Sequence, residues 1–418
     1  MMKSSSRQAE QLTSCLDLIP DSIETCVLAF SGGLDSCVLL HLLANRSPSF
    51  NLKLWHVNHG LQKQAHLMAQ FCRQQADLYD LDLKLSHLNL ESIDSNIEAV
   101  ARKGRYELFA KGLTANDCLL TAHHANDQVE TFLLNVLRGS GSAGLRGIAA
   151  HKSIGSSKLL RPMLAIKRET LLDYATQHGL EWFEDPSNSS QRFNRNYLRH
   201  NVIPSISQRW PNYHSSIGTV CELQAETQQM LDELAALDYA KIIDEEGRQG
   251  RPGLTIKILL SFSVARQKNV IRYWLRLHNC SNLPKTRLDT LIKQLNAKPD
   301  ATPIIAGTGY DIRIYNGRLF IVELLSTQVL RAVYDLTDSI RLEISELGLV
   351  LERQTVLAFF RVEDRNQTVQ IKFRLNENSE NQTSHRLKRL FQKHKIPPWL
   401  RNTTPQVYID DELIGLWL

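Results

Sequence analysis

Apolar positions along the first 185 residues follow two alternating patterns. Short strand-like runs occur at Thr25–Phe30 (TCVLAF), Leu52–Val57 (LKLWHV), Leu81–His87 (LDLKLSH) and Cys118–Ala122 (CLLTA). Between and after them, near 36–45, 63–79, 96–113 and 124–138, apolar residues recur at helical spacing. One strand start follows the last by the length of a βαβ unit, which predicts an α/β fold with a doubly wound parallel sheet. Ligands of such sheets bind beyond the carboxyl ends of the strands.

The pattern changes near residue 216. Cys221–Glu246 carries eight acids and one lysine with Leu231, Leu234, Ala235 and Asp238 at helical spacing, and predicts a helix. Segment 256–298 also reads as helical, and GYDIRIYNGRLFIVEL predicts a hairpin turning at Asn316-Gly317. Strand-like runs at 339–344, 349–352, 356–362 and 369–374 follow, then a basic helical stretch at 385–395 and the breaker Pro397-Pro398. Three domains are expected: 1–215 (α/β), 216–328 (mainly helical) and 329–418 (small α+β).

Composition narrows the function classes. A chain of 418 residues with 49 Lys plus Arg against 44 Asp plus Glu is only mildly basic, so a nucleic-acid partner must be held by local patches. Seven scattered cysteines without a C-x-x-C pair give no zinc-knuckle or thioredoxin-like signature and suit a reducing compartment. No apolar run approaches the ~20 residues of a membrane span, and the polar start MMKSSSRQAEQLTS has no signal-type core. A soluble cytoplasmic protein with no membrane partner is expected, a monomer or homodimer.

The sharpest chemical signal is Ser31-Gly32-Gly33-Leu34-Asp35-Ser36, set between a predicted strand and a predicted helix. Two glycines let backbone amides approach phosphate oxygens, and the helix N-terminus adds its positive dipole end. Ser31 and Ser36 bring hydroxyls, and Asp35 is a candidate ligand for Mg²⁺. No Walker A pattern occurs. His59, in HVNHGL after the second strand, is a weaker phosphate or substrate candidate. Glu98, Arg102 and Arg105 share one helix face, where the arginines could clamp an anion. His123 and His124 precede Asp127 and Glu130, carboxylates three residues apart at a helix start; acids there also complement the helix dipole. The run Arg138-Gly-Ser-Gly-Ser-Ala-Gly contains G-x-G-x-x-G but follows a helix, so it reads as a lid or RNA-backbone contact rather than a dinucleotide site.

SGGLDS resembles the PP-loop of the N-type ATP pyrophosphatases, which split ATP between its α and β phosphates and adenylate a carbonyl oxygen. The series SGGLDS, HVNHGL, IEAVAR with Arg105-Tyr106, TAHHANDQVET with LRGSGSAGLRG, RPML at 161–164, EDPSN at 184–188 and LKRLFQKHKIPPWLR at 387–401 resembles the tRNA(Ile)-lysidine synthetases over nearly the whole chain. Gln62 departs from the basic residue many members carry there. The resemblance implies conversion of the wobble cytidine of a CAU isoleucine tRNA to lysidine, with ATP, Mg²⁺ and free L-lysine. On that reading Ser31, Gly32, Gly33, Leu34, Asp35, Ser36 and His59 hold the nucleotide. Asp127 and Glu130 bind the lysine ammonium and one of them takes its proton, with His123 or His124 in support, while Arg105 orients a carboxylate or phosphate.

Basic, aromatic-flanked stretches are candidate tRNA tracks: Arg192, Arg195 and Arg199 in acid-free Ser187–Trp210, Arg272 and Arg276 beside Tyr273 and Trp274, and Lys388 and Arg389 in acid-free 385–401, with Arg138. The alternatives are a thiolating PP-loop enzyme, which would need sulfur-handling cysteines, an amidating ligase, and a non-catalytic RNA-binding protein.

Overall fold

A computed structural model describes residues 12–46, 50–58, 60, 65–88, 97–184, 194–244, 253–295, 303–323, 333–337, 341–344, 347–363, 367–373 and 385–417. Packing divides the chain into two compact units, 1–230 and 231–418.

The first unit is built on a six-stranded sheet. Its strands β1 (Thr25–Ala29), β2 (Asn51–Asn58), β3 (Leu83–His87), β4 (Asp117–Leu120), β5 (His151–Ile154) and β6 (Ser157–Leu160) lie in the order β3-β2-β1-β4-β6-β5. All neighbours are parallel except the β5–β6 hairpin at the edge. Residues of one strand go alternately to two separate cores. Cys26, Leu28, Leu52, Leu54, Cys118 and Leu120 join the core on one face, and Val27, Trp55, Val57 and Leu119 join the core on the other. Period-two alternation with both faces apolar is what a sheet covered by helices on both sides requires.

Helices α1 (Leu34–Ala44), α2 (Ala65–Leu78), α3 (Ile97–Gly112) and α4 (Ala125–Leu137) connect or follow these strands. Eight of the eleven residues of α1 are buried, so it has no solvent stripe and sits inside the unit. Its partner on that side is α5 (Arg168–Gln177), whose Leu171 and Ala175 enter the same core. Because β1 connects onward to β2 on one side and pairs with β4 on the other, the chain reverses direction across the sheet between β1 and β4. A crevice opens at such a point.

Among the described residues the second unit carries three further sheets. Strands β7 (Ile243–Asp244), β8 (Gly253–Thr255), β9 (Ile304–Ala306), β10 (Tyr310–Tyr315) and β11 (Arg318–Glu323) form an antiparallel sheet ordered β7-β8-β11-β10-β9. Trp274, Leu275, Leu288 and Leu291 from helical segments Val264–Leu277 and Lys285–Gln294 share one core with it. The helical reading of 256–298 is interrupted at Ser263, which caps the first of these helices, and at Asn279–Pro284. Asn316 and Gly317 both have positive φ, 48° and 72°, as the expected two-residue hairpin demands. A separate core around Ile344, Leu351, Val369, Ile371 and Val407 serves the C-terminal strands. Segment 356–362, expected as a strand, lies instead in and just beyond the helix Arg353–Phe359. Val356 and Leu357 are buried there beside half-buried Phe360, an i, i+1, i+4 face that tertiary packing selects over β-propensity.

Gly155 turns the β5–β6 hairpin with φ of 56°, and a Cβ on it would lie 2.6 Å from the Ala110 carbonyl oxygen. Gly155→Ala is therefore expected to cost about 2 kcal/mol or more, read as a lowered urea midpoint, whereas Gly309→Ala, with open space around it, should cost only the left-handed strain of about 1 kcal/mol.

Candidate active site

The loop after β1 is tied down by short contacts. Ser31 Oγ lies 3.0 Å from Ser36 Oγ, Ser36 Oγ donates to the Gly33 carbonyl at 2.9 Å, and the Gly33 amide donates to Ser31 Oγ at 3.3 Å. Gly32 has φ of 78°, and a Cβ there would press on Cys72 Sγ and Phe71 at 3.1 and 3.2 Å. Gly33 caps α1 without any side-chain bond to the first-turn amides, so Leu34, Asp35 and Ser36 begin a helix whose N-terminal donors are open to an anion.

On the neighbouring strand end, His124 is the N-cap of α4. Its Nδ1 accepts from the Asp127 amide at 3.4 Å, and Asp127 Oδ2 accepts from the His124 amide at 3.0 Å, a reciprocal box built with histidine. The same ring turns Nε2 to Asp35 Oδ2 at 3.5 Å and Asp127 Oδ2 at 3.7 Å. One side chain thereby joins the loop of β1 to the helix after β4. Burial pushes the His124 pKa down, but the hydrogen bond to Asp35 and the charges of Asp127, Asp35 and Glu130 outweigh it and leave it raised. His123 goes the other way. Burial, with Arg161, Arg102 and Arg195 nearby, pushes it down to about 3, and its Nδ1 pairs with Thr121 Oγ1 at 2.9 Å.

Asp127 and Glu130, one turn apart on α4, meet two guanidiniums. Arg195 Nη2 donates to Asp127 Oδ1 at 2.7 Å and its Nε to Glu130 Oε2 at 2.5 Å. Arg199 Nε donates to Glu130 Oε1 at 2.7 Å and its Nη2 to Oε2 at 3.1 Å. Glu130 is fully buried, and its charge is held by these four-residue-spaced arginines. Arg195 lies on α6 (Asn194–Tyr197) and Arg199 on the wide π-turn Leu198–Val202 that follows. Desolvation raises the Asp127 pKa, but His124, Arg195 and His123 with the His124 amide more than reverse it, so it stands lowered.

A cleft of about 430 Å³ opens beside Glu130 and Arg199, reaching Lys167 and Glu169 at the start of α5 and Tyr213 and His214 at the start of the helix α7 (Tyr213–Ile242). Arg105, on α3, has its guanidinium 5.8 Å from the Tyr106 ring, and burial lowers its pKa. Among the described residues no ion pair includes Arg105. Arg161, from the RPML stretch, is buried, donates to the Ala149 carbonyl at 2.6 Å and reaches the Tyr106 hydroxyl at 3.5 Å.

The structure brings Asp35, His124, Asp127 and Glu130 together, with His123 beside them. Arg195 and Arg199, expected on an RNA track, are committed to the acidic pair. In the stripe on Val264–Leu277, Arg276 pairs with Asp232 and Lys268 with Asp289, while Arg272 is half-buried. Arg138, Lys388 and Arg389 are exposed. His59 and Arg192 lie outside the described residues. Sequence reading missed Lys167, Glu169 and His214. Its one available clue to the arginine pair was the match of an i, i+4 arginine spacing to an i, i+3 carboxylate spacing.

Residues 2–206 match the PP-loop domain, 254–320 the TilS substrate binding domain and 363–416 the TilS substrate C-terminal domain. The chain is similar to the tRNA(Ile)-lysidine synthase of Serratia proteamaculans, 38% identical with 93% of this chain and 89% of that one covered. It is similar to that of Coxiella burnetii at 35% identity over 97% and 91%, and to that of Alkalilimnicola ehrlichii at 40% over 74% and 69%. A PP-loop domain implies ATP binding.

Glu130→Gln strands two guanidiniums that are a quarter to a third exposed, so a loss of about 2–3 kcal/mol is expected in urea denaturation. The depressed Asp127 pKa adds stability that is complete above its unfolded value near ~3.9 and is lost as pH falls through the lower folded value. Asp127→Asn should therefore flatten that acid limb in a stability-versus-pH series.

Proposed function

The chain belongs to the tRNA(Ile)-lysidine synthase family of PP-loop ligases, and we propose from that premise that it joins free L-lysine to C2 of the wobble cytidine in an isoleucine tRNA with a CAU anticodon. The products are lysidine, AMP and pyrophosphate. The observation that carries this reading is the unbroken polar chain from loop to acids: Asp35, His124, Asp127, Arg195, Glu130, Arg199. It couples a nucleotide loop to a carboxylate pair of the charge a diamine substrate needs.

The cytosine C2 oxygen is a poor leaving group, and adenylation makes it a good one. Gly32 and Gly33 let the loop amides approach the phosphates, and Ser31 and Ser36 orient them. Among the described residues Asp35 Oδ1 is buried without a hydrogen-bond partner, so this oxygen would suit a Mg²⁺ ion. Such an ion would offset phosphate charge as pyrophosphate departs.

The attacking amine has a pKa near ~10.4 in water and arrives protonated. Asp127 and Glu130 hold the ammonium, which enters by exchanging with a guanidinium. An adjacent carboxylate strengthens the amine's hold on its proton, so a group must also accept it. Asp127, with its lowered pKa, is the anchor; Glu130, or His124 with its raised pKa and contacts to Asp127 and Asp35, passes the proton on. His123, neutral at pH 7, supplies a polar wall without charge. Arg105 orients the phosphate or lysine carboxylate.

The tRNA contacts fall to exposed Arg138, Lys388 and Arg389, with Arg272 and Arg276 as further candidates and Arg192, outside the described residues, kept from the sequence reading. The separateness of the core around Trp274 from the core around Val369 in the second unit favours a three-part organisation, 1–215, 216–328 and 329–418. Thiol chemistry is disfavoured by burial that lifts Cys26 and Cys72 to about 12 and Cys118 to about 11.

Incubation with ATP, Mg²⁺, radiolabelled lysine and unmodified CAU isoleucine tRNA should place label on cytidine, with none on a CAU methionine tRNA. Asp127→Ala and Glu130→Ala should lower this incorporation by about a hundredfold or more. Pyrophosphate release without lysine incorporation would retain adenylation and refute lysine as the nucleophile.

A further inference from the structure

We propose that the glycine-rich run 139–148 is a splint rather than a lid, and that Gln128 is a positioning residue that uses it to fix the angle at which α4 presents Asp127 and Glu130. This deepens the reading above and rests on it, since the two acids are there to receive the lysine amine.

Exchange of the ammonium with a guanidinium creates a need that the arginines cannot meet. A guanidinium that releases an acid no longer positions it, so another contact must hold α4 while the amine is in place. On a helix of 3.6 residues per turn, Gln128 and Asn135 share one face, turned about 120° from the face of Asp127 and Glu130. Both side chains end in carboxamides, and both reach the backbone of the glycine-rich run. Gln128 Oε1 accepts from the Ile148 amide at 2.6 Å, and its Nε2 donates to the Ile148 carbonyl at 3.2 Å. Asn135 Nδ2 donates to the Gly144 carbonyl at 2.8 Å. One carboxamide thus satisfies both backbone groups of Ile148, as a residue of a paired strand would.

The run is anchored along its whole length. Its entry closes on α4 through the Gly139 amide to the Val136 carbonyl and the Ser140 amide to the Asn135 carbonyl, each at 2.9 Å. In its middle, Ser142 Oγ donates to Gln228 Oε1 on α7 at 2.8 Å. Past its exit, buried Arg161 donates to the Ala149 carbonyl through Nη1 at 2.6 Å and to the Ala150 carbonyl through its backbone amide at 2.9 Å. Gly147 permits the close fit. At φ of 64° it lies so near α4 that a Cβ on it would collide with the Gln128 carboxamide and press on Cys221 Sγ at 3.1 Å. The run braces α4 against α7, and that brace is independent of Arg195 and Arg199. Misplacement of a reacting group by ~1 Å costs about a hundredfold in rate, so amine transfer depends on it.

The test separates two half-reactions: tRNA-dependent pyrophosphate release without lysine, and incorporation of labelled lysine into CAU isoleucine tRNA. Gln128→Met keeps the side-chain length and removes both bonds to Ile148. It should lower kcat for lysine incorporation about ten- to a hundredfold, while pyrophosphate release and the KM for ATP stay within about twofold. Gly147→Ala, which drives the same carboxamide off Ile148, should give the same selective loss, and the double variant should be no slower than the slower single one. Ser142→Ala, which cuts only the tie to α7, should show a milder form of that loss. Melting temperatures check that each variant is folded. Equal slowing of both half-reactions, additive losses in the double variant, or an unchanged kcat in the folded single variants overturns the positioning role. A wild-type protein that releases pyrophosphate but incorporates no lysine overturns the parent reading, and this one with it.

Discussion

Glu130 is a fully buried carboxylate, and two guanidiniums supply four charge-assisted contacts to it and its neighbour Asp127. That constraint organises the edge of the sheet. It pins the chain at Asn194–Val202, including the π-turn that carries Arg199, onto α4, and it keeps Asp127 ionised beside His124. Such a cluster is costly to desolvate and gains little over an apolar core of the same volume. Its persistence is better explained by chemistry than by stability.

His124 occupies the narrowest point of this arrangement. As an N-cap it must leave Nδ1 unprotonated to accept from the Asp127 amide, so its single proton belongs on Nε2, facing Asp35. The surrounding acids favour a second proton, which would occupy Nδ1 and break the cap. The start of α4 and the protonation of the site are thus the same equilibrium. A group held between a structural bond and an electrostatic pull is suited to exchanging protons.

The sheet was legible because its strands obey period two on both faces: Val27 and its neighbours Cys26 and Leu28 go to opposite cores, and such runs admit little else. Helix α1 was legible in its place and length. Segment 356–362 was not, since Val, Leu and Phe runs suit either state until Val356 and Leu357 find a core. At the site, the loop, the histidine pair and the two acids could be named from local motifs. The arginine pair could be named too, but not its partners, because Arg195 and Glu130 are 65 residues apart and only the fold brings them within bonding distance. Lys167, Glu169 and His214 carry no motif at all; they become visible only as the walls of one cleft.

The burial that silences the thiols has a practical side. Cys15, Cys26 and Cys72 are lifted to about 12 and Cys118 and Cys221 to about 11, and Cys37 is higher still, so at neutral pH almost none of these sulfurs is thiolate. Cys280, half-buried just beyond the helix Val264–Leu277, is the one cysteine of the seven that is not buried. Maleimide chemistry would be directed to this single position, giving the native sequence a built-in attachment point for a spectroscopic reporter in the middle region, with no cysteine needing to be removed first.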